Sequence, residues 1–314
     1  MIPKGAGFLL KGRQVGKTFL ARDLFAEEYF RKYLYIELAA DAEARRFIKN
    51  HVDAKEIIQY LSISRNTVID SETLLIFDEI QECLHVITAL KYFCQEYRDI
   101  PVIATGSMVR IRLKQIEESQ SKRDPEIETD TVFLFPVGKV DEMNLYPLTF
   151  SEYLYARNSA FHEFLKNNWK EKKDISSEYH ELGMKYFFEY MLIGGMPEVV
   201  DMFIRTESFQ RALMTLQTVY SNYLNDMSLY QISSESLLRT RRIYENIYSQ
   251  LSKENKNFKI SAIEKGKRFR DYYNPLNWLR EARIIYPIYQ LKEHVTLPLK
   301  SAGIIMGTMR RISF

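Results

Sequence analysis

Leu9–Leu20, LLKGRQVGKTFL, sets glycines, a lysine and a threonine between an apolar run and a segment of helical periodicity. A glycine-containing turn between a strand and a helix surrounds a phosphate with backbone N–H groups, and the helix N-terminus adds donors and partial positive charge. The usual pattern is G-x-x-x-x-G-K-T, whose first glycine would fall on Lys11; only three residues separate Gly12 from Gly16. Either Lys11 takes the first glycine's place or the loop is one residue short. On this reading Gly12, Arg13, Gln14, Val15, Gly16, Lys17, Thr18 and Phe19 line a nucleotide phosphate site. Lys17 reaches the β and γ phosphates and takes part in catalysis, Thr18 ligates Mg²⁺, and Gly16 lets the backbone approach closely. The competing reading is a glycine-containing turn with a surface lysine.

A second motif separates the two. In LLIFDEIQ, residues 74–81, a run of four apolar residues delivers Asp78 and Glu79 to the C-terminal end of a strand, where ligands bind in open α/β sheets. Asp78 is the expected Mg²⁺ holder, and Glu79 the residue that orients and polarises an attacking water. In PVIATGS, residues 101–107, another strand ends in hydroxyl residues, which makes Thr105 and Ser107 candidate sensors of the γ-phosphate; a plain turn after a strand reads the same way. This strand end follows the acidic pair by roughly 27 residues, the order of ATPases with an extra strand between phosphate loop and acidic motif. Such catalysis consists of positioning and charge neutralisation without a covalent intermediate.

The surrounding sequence predicts an α/β fold. GFLL, YLYIEL, LLIF and PVIAT are short apolar runs separated by helix-like segments, the pattern of a parallel sheet covered on both faces. TVFLF at 131–135 is a further strand candidate, and YPLTFSEYL predicts a helix with Thr149 or Ser151 near its start. A P-loop core is expected over residues 1–150, a helical region over 151–235, a winged-helix-like domain over 236–299 and an atypical tail over 300–314. Gly194, Gly195 and Pro197 should end one helix and start a turn.

Composition excludes little. With 44 basic and 41 acidic residues the net charge is only +3, so local clusters must decide whether nucleic acid is a partner. One such cluster is EKGKRFRDYY, residues 264–273, where Lys265, Lys267, Arg268 and Arg270 stand beside aromatic rings as candidate phosphate contacts to DNA. A solvated face or a protein-binding surface has the same composition. The cysteines, Cys83 and Cys94, lack metal-ligand spacing, and the five histidines are scattered. No serine-nucleophile elbow occurs. With no leader or apolar span of membrane length, a cytoplasmic protein is expected. Arg110, Arg112 and Arg123 are candidates for an arginine finger.

The ordered set GRQVGKTFL, LLIFDEIQ, ATGS, FPVGKVDEMNLYPLTFSEYL, LIGGMPEVV and the segment from YSNYLNDM to YPIYQL resembles a group of poorly characterised prokaryotic AAA-type ATPases, over about residues 7–299. The resemblance implies ATP rather than GTP, an ATPase core followed by helices and a winged-helix-like region, and roles for Lys17, Thr18, Asp78, Glu79 and Ser107. The chain departs from the group at Lys11, where a glycine is usual. It begins close to the first strand, and after VTLPLK it carries SAGIIMGTMRRISF in place of a nuclease-like domain, which raises the expectation of a truncated gene product. The leading reading is therefore a Mg²⁺-dependent ATPase, open to homo-oligomerisation; the alternative is a catalytically degraded regulatory module contacting DNA or protein.

Overall fold

The computed structural model describes residues 7–109, 111–113, 140–230, 233–254, 257–291 and 301–308. The chain divides into two compact units, Met1–Leu145 and Tyr146–Phe314.

The first unit is built on five strands: β1 (Gly7–Lys11), β2 (Lys32–Glu37), β3 (Thr73–Asp78), β4 (Val102–Gly106) and β5 (Val140–Asn144). Their order in the sheet is β2-β3-β4-β1-β5. Every pairing is parallel. The four apolar runs of the sequence thus form four of the strands, and β4 lies between the phosphate-loop strand and the acidic strand. Register aligns the strand ends, with Lys11 opposite both Gly106 and Asn144, and Glu37 opposite Asp78.

Alternation along each strand divides the apolar residues between two layers. Leu9, Ile36, Leu75, Phe77 and Ala104 pack with buried residues of the helices Ala42–Asn50, Ala54–Ser64 and His85–Glu96. Their neighbours Leu10, Leu74, Ile76 and Ile103 face the other way, onto Ala21 and Ala26 of the first helix. All six residues of β3 are buried, which is why that strand reads as a continuous apolar run ending in an acid.

β5 does not show the apolar signature of its neighbours. Of VDEMN only Val140 is buried, as an edge strand allows, and periodicity could not distinguish it from a loop. The expected strand at 131–135 lies outside the described residues, as do Arg110, Arg123 and most of the loop expected at 111–130.

The second unit is helical up to a terminal β-hairpin. Thr149 caps the helix Phe150–Arg157 in a capping box with Glu152. The helix Ser177–Ile193 stops at Gly194, as the spacing predicts, and Pro197 opens the next helix, Pro197–Thr206. Gly195 permits a close backbone approach, since a Cβ there would fall 2.0 Å from the Leu148 carbonyl oxygen. Helices Phe209–Tyr230, Ser234–Leu251 and Phe269–Glu281 follow. The hairpin pairs β6 (Ile285–Leu291) antiparallel with β7 (Ser301–Thr308). FKISAIEKG, open to strand or helix in the sequence, forms a single 3₁₀ turn at Ile260–Ala262.

Candidate nucleotide site

The candidate residues of the first unit converge at the C-terminal edge of the sheet. Lys11 is the last residue of β1, and Gly12 turns the chain away from the strand. Gly12 adopts φ 140° and approaches the backbone so closely that a Cβ would lie 2.6 Å from the Leu145 carbonyl oxygen. Gln14 and Gly16 also have positive φ, and Leu20 N–H donates to the Gly16 carbonyl at 2.8 Å as the helix begins. The helix is π-wound over Phe19–Ala26 before finishing as an α-helix at Glu27–Tyr29. Left-handed residues ahead of a helix N-terminus turn backbone N–H groups toward one concavity, which suits an anion.

Lys17 is 7% exposed, and its ammonium donates to the Gly12 carbonyl at 2.7 Å. Burial pushes its pKa down, the charges of Glu79 and Asp78 act in the opposite sense, and Arg13 adds to the lowering. A buried ammonium beside a second cation is held most favourably when an anion joins them.

Asp78 is the centre of the arrangement. At 2% exposure its carboxylate accepts from Thr18 Oγ1 at 2.7 Å, from Tyr35 Oη at 2.8 Å and from the Glu79 N–H at 2.9 Å. A fourth hydrogen bond comes from Thr105 Oγ1, itself fully buried. The structure thus brings Thr18, Asp78 and Thr105 together, whereas Ser107 makes no hydrogen bond among the described residues. Oxygen-rich chemistry of this kind fits a magnesium ion, which prefers carboxylate, hydroxyl, phosphate and water oxygens.

Glu79 leaves β3 in the left-handed region, φ 54° and ψ 47°, a conformation that costs a residue with a Cβ about 1–2 kcal/mol. Such strain at a strand's end is a common mark of functional geometry. Its carboxylate accepts from Gln81 Nε2. Phe19, by contrast, is 62% exposed.

Three partners escaped sequence reasoning. Tyr35 reaches Asp78 because the β2–β3 register places Glu37 opposite Asp78, and alternation puts Tyr35 on the same side. Burial, then the Asp78 hydrogen bond, drives the Tyr35 pKa far up, and the Arg22 guanidinium lies 5.1 Å from its ring centroid. Gln81 follows Glu79 by two positions but looks like any polar turn residue. Glu142, on the polar edge strand β5, lies 2.5 Å from the Lys11 ammonium. That ion pair turns the Lys11 side chain toward β5.

Residues 7–154 match the model of the AAA domain family. The sheet order and the match agree on a P-loop ATPase fold, and the match supports nucleotide binding. Beyond the AAA domain, residues 184–302 match a domain of unknown function (DUF8612). No curated protein matches the sequence. Among solved structures the chain is similar to a Walker-type ATPase of Pyrococcus abyssi, at 19% identity over 95% of this chain and 88% of that one, with a TM-score of 0.49. It is also similar to PCH-2 of C. elegans, at 13% identity over 70% and 56%, with a TM-score of 0.30.

The Lys11–Glu142 pair yields a direct test of how the end of β1 holds a buried lysine. Lys11 is 4% exposed, so Glu142→Gln removes a carboxylate that faces a buried ammonium. Urea denaturation should show a loss of about 1–3 kcal/mol. Adding Lys11→Met should recover most of that loss; equal stability of the single and double variants would refute the pairing.

Proposed function

We propose that the AAA domain binds ATP with Mg²⁺ and hydrolyses it. The observation that carries this reading is the convergence on Asp78 of Thr18 from the phosphate-loop helix and Thr105 from β4, beside a buried Lys17. Lys17 and the N–H groups of Gly12–Phe19 would hold the phosphates, and Thr18 and Asp78 would hold the metal. The ion supplies charge neutralisation at the phosphates when bound. Glu79 orients and polarises a water, and Thr105 fixes the Asp78 carboxylate from the far side. Gln81, by donating to Glu79, restrains the side chain that must face the water. Ser107 remains a candidate sensor because it follows β4 directly. Arg112 is retained only as a candidate cation, since no observation ties it to the phosphates.

Lys17→Ala should abolish measurable ATP binding, and Glu79→Gln should preserve binding while turnover falls by roughly 10²-fold or more, as loss of a general base does. Binding by fluorescent-nucleotide titration and turnover by phosphate release check the pair. Turnover unchanged in both variants would refute the assignment; intact wild-type binding with no turnover would favour the regulatory alternative.

The second unit supports a separate role in contacting DNA. Two helices followed by a β-hairpin are the order of a winged helix, and residues 236–299 are read as that module, with β7 extending it. Lys265, Arg268 and Arg270 are exposed at the start of the helix Phe269–Glu281, with Lys267 half-buried among them. Phe269 and Tyr273 are exposed beside them, 6.3 Å apart in an edge-on pair. Arg239 and Glu264 anchor the segment from below, through the Asp271 carbonyl at 3.1 Å and the Tyr272 hydroxyl at 2.7 Å. Exposed cations on a rigid helix end, flanked by rings, suit a phosphate backbone. Neutralising Lys267, Arg268 and Arg270 together should weaken duplex binding and reduce the slope of log K against log salt by about 3, measured by fluorescence anisotropy. An unchanged slope would remove this surface as the site.

A further inference from the structure

A cavity of about 410 Å³ in the first unit opens beside the nucleotide site described above and shares Gln81 with it. It lies between one face of the helix Ala42–Asn50 and the segment that leads from β3 into the helix His85–Glu96. Among the described residues Arg45, Arg46, Lys49 and Arg112 line it, with the carboxylate of Glu82. Arg45, Arg46 and Lys49 share one face of a single helix, where like charges four residues apart repel one another by a few tenths of a kcal/mol. The fold nevertheless keeps them together.

Their hydrogen bonding indicates what the cavity offers. Arg45 is committed to the protein, donating to the carbonyls of Leu38 and Ala39. Its guanidinium therefore stands fixed at the cavity wall. Arg46 and Lys49 are exposed and form no ion pair among the described residues. His85, half-buried on the same wall, has its pKa lowered by burial and then by the Lys49 charge, as a locally positive field requires. The helix that begins at His85 has no acidic residue in its first turn to offset the partial positive charge of its N-terminus.

We propose that this cavity is a second anion site, taking a small phosphate-bearing ligand of the size of pyrophosphate, held by Arg46 and Lys49 with Arg45 and Arg112 at the wall. Guanidinium and ammonium groups around one concavity match the several charged oxygens of such a ligand through charge-assisted hydrogen bonds. The site is distinct from the phosphate loop and needs no nucleotide there. Gln81, which donates to Glu79, also lines this cavity, so an occupant would lie one side chain from the acidic motif.

The test uses inorganic pyrophosphate and the full chain carrying Lys17→Ala, which removes the principal lysine of the phosphate loop. Isothermal titration should find one pyrophosphate site in that protein, and adding Arg46→Ala and Lys49→Ala should weaken it by tenfold or more. Both added positions are exposed, so the fold should be unaffected, and an unchanged circular dichroism melt checks this. A short single-stranded oligonucleotide in competition distinguishes the source of the phosphate. Displacement of pyrophosphate would assign backbone phosphates as the occupant, and no displacement would assign a free small phosphate. Absence of binding in the Lys17→Ala protein, or equal binding after the two added substitutions, would overturn the proposal. Either result would leave ATP binding by the wild type untouched.

Discussion

The buried carboxylate of Asp78 is the interaction on which the first unit's functional geometry depends. A carboxylate removed from water must be met by donors or it destabilises the fold. Here the donors come from different parts of the chain: a hydroxyl from the phosphate-loop helix, one from β2, one from β4, and the next backbone N–H along β3. Satisfying one acid thereby fixes the helix N-terminus against two strands. The Thr18 hydroxyl and the Asp78 carboxylate that hold the structure together are also the oxygens that the proposed magnesium ion would use.

Strain and charge compensation surround that centre. Glu79 accepts a left-handed backbone as the chain leaves β3, and Gln81 holds its side chain. Lys11, buried at the end of β1, is paired with Glu142 from the sheet's edge. The pairing gives the buried lysine at the end of β1 a counter-charge. It points its charge across to the next strand, and Gly12 takes over the close approach to the Leu145 carbonyl that leaves room for no Cβ.

Much of this was legible in the sequence because it is local. The spacing of Gly16, Lys17 and Thr18, the apolar run ending in Asp78 and Glu79, and the strand ending in Thr105 each lie within a few residues and announce both an element and its chemistry. Four apolar runs marked the strands of a parallel sheet, and the order β2-β3-β4-β1 came from the fold itself. Tyr35 and Glu142 were not legible, since their roles depend on strand register, which joins residues 43 and 131 positions from their partners. β5 was missed because an edge strand with one buried residue has no periodicity to read. In the second unit, Thr149 and the Gly194–Pro197 turn were clear from capping chemistry, whereas the cation pattern near Arg268 said nothing about which partner it meets.

Asp78 as the metal-holding centre is tested most directly by equilibrium ATP binding with and without Mg²⁺, in the wild type and in Asp78→Asn. Mg²⁺ should tighten ATP binding in the wild type and lose most of that effect in the variant, with metal-free binding little changed. An equal Mg²⁺ effect in both proteins would contradict it.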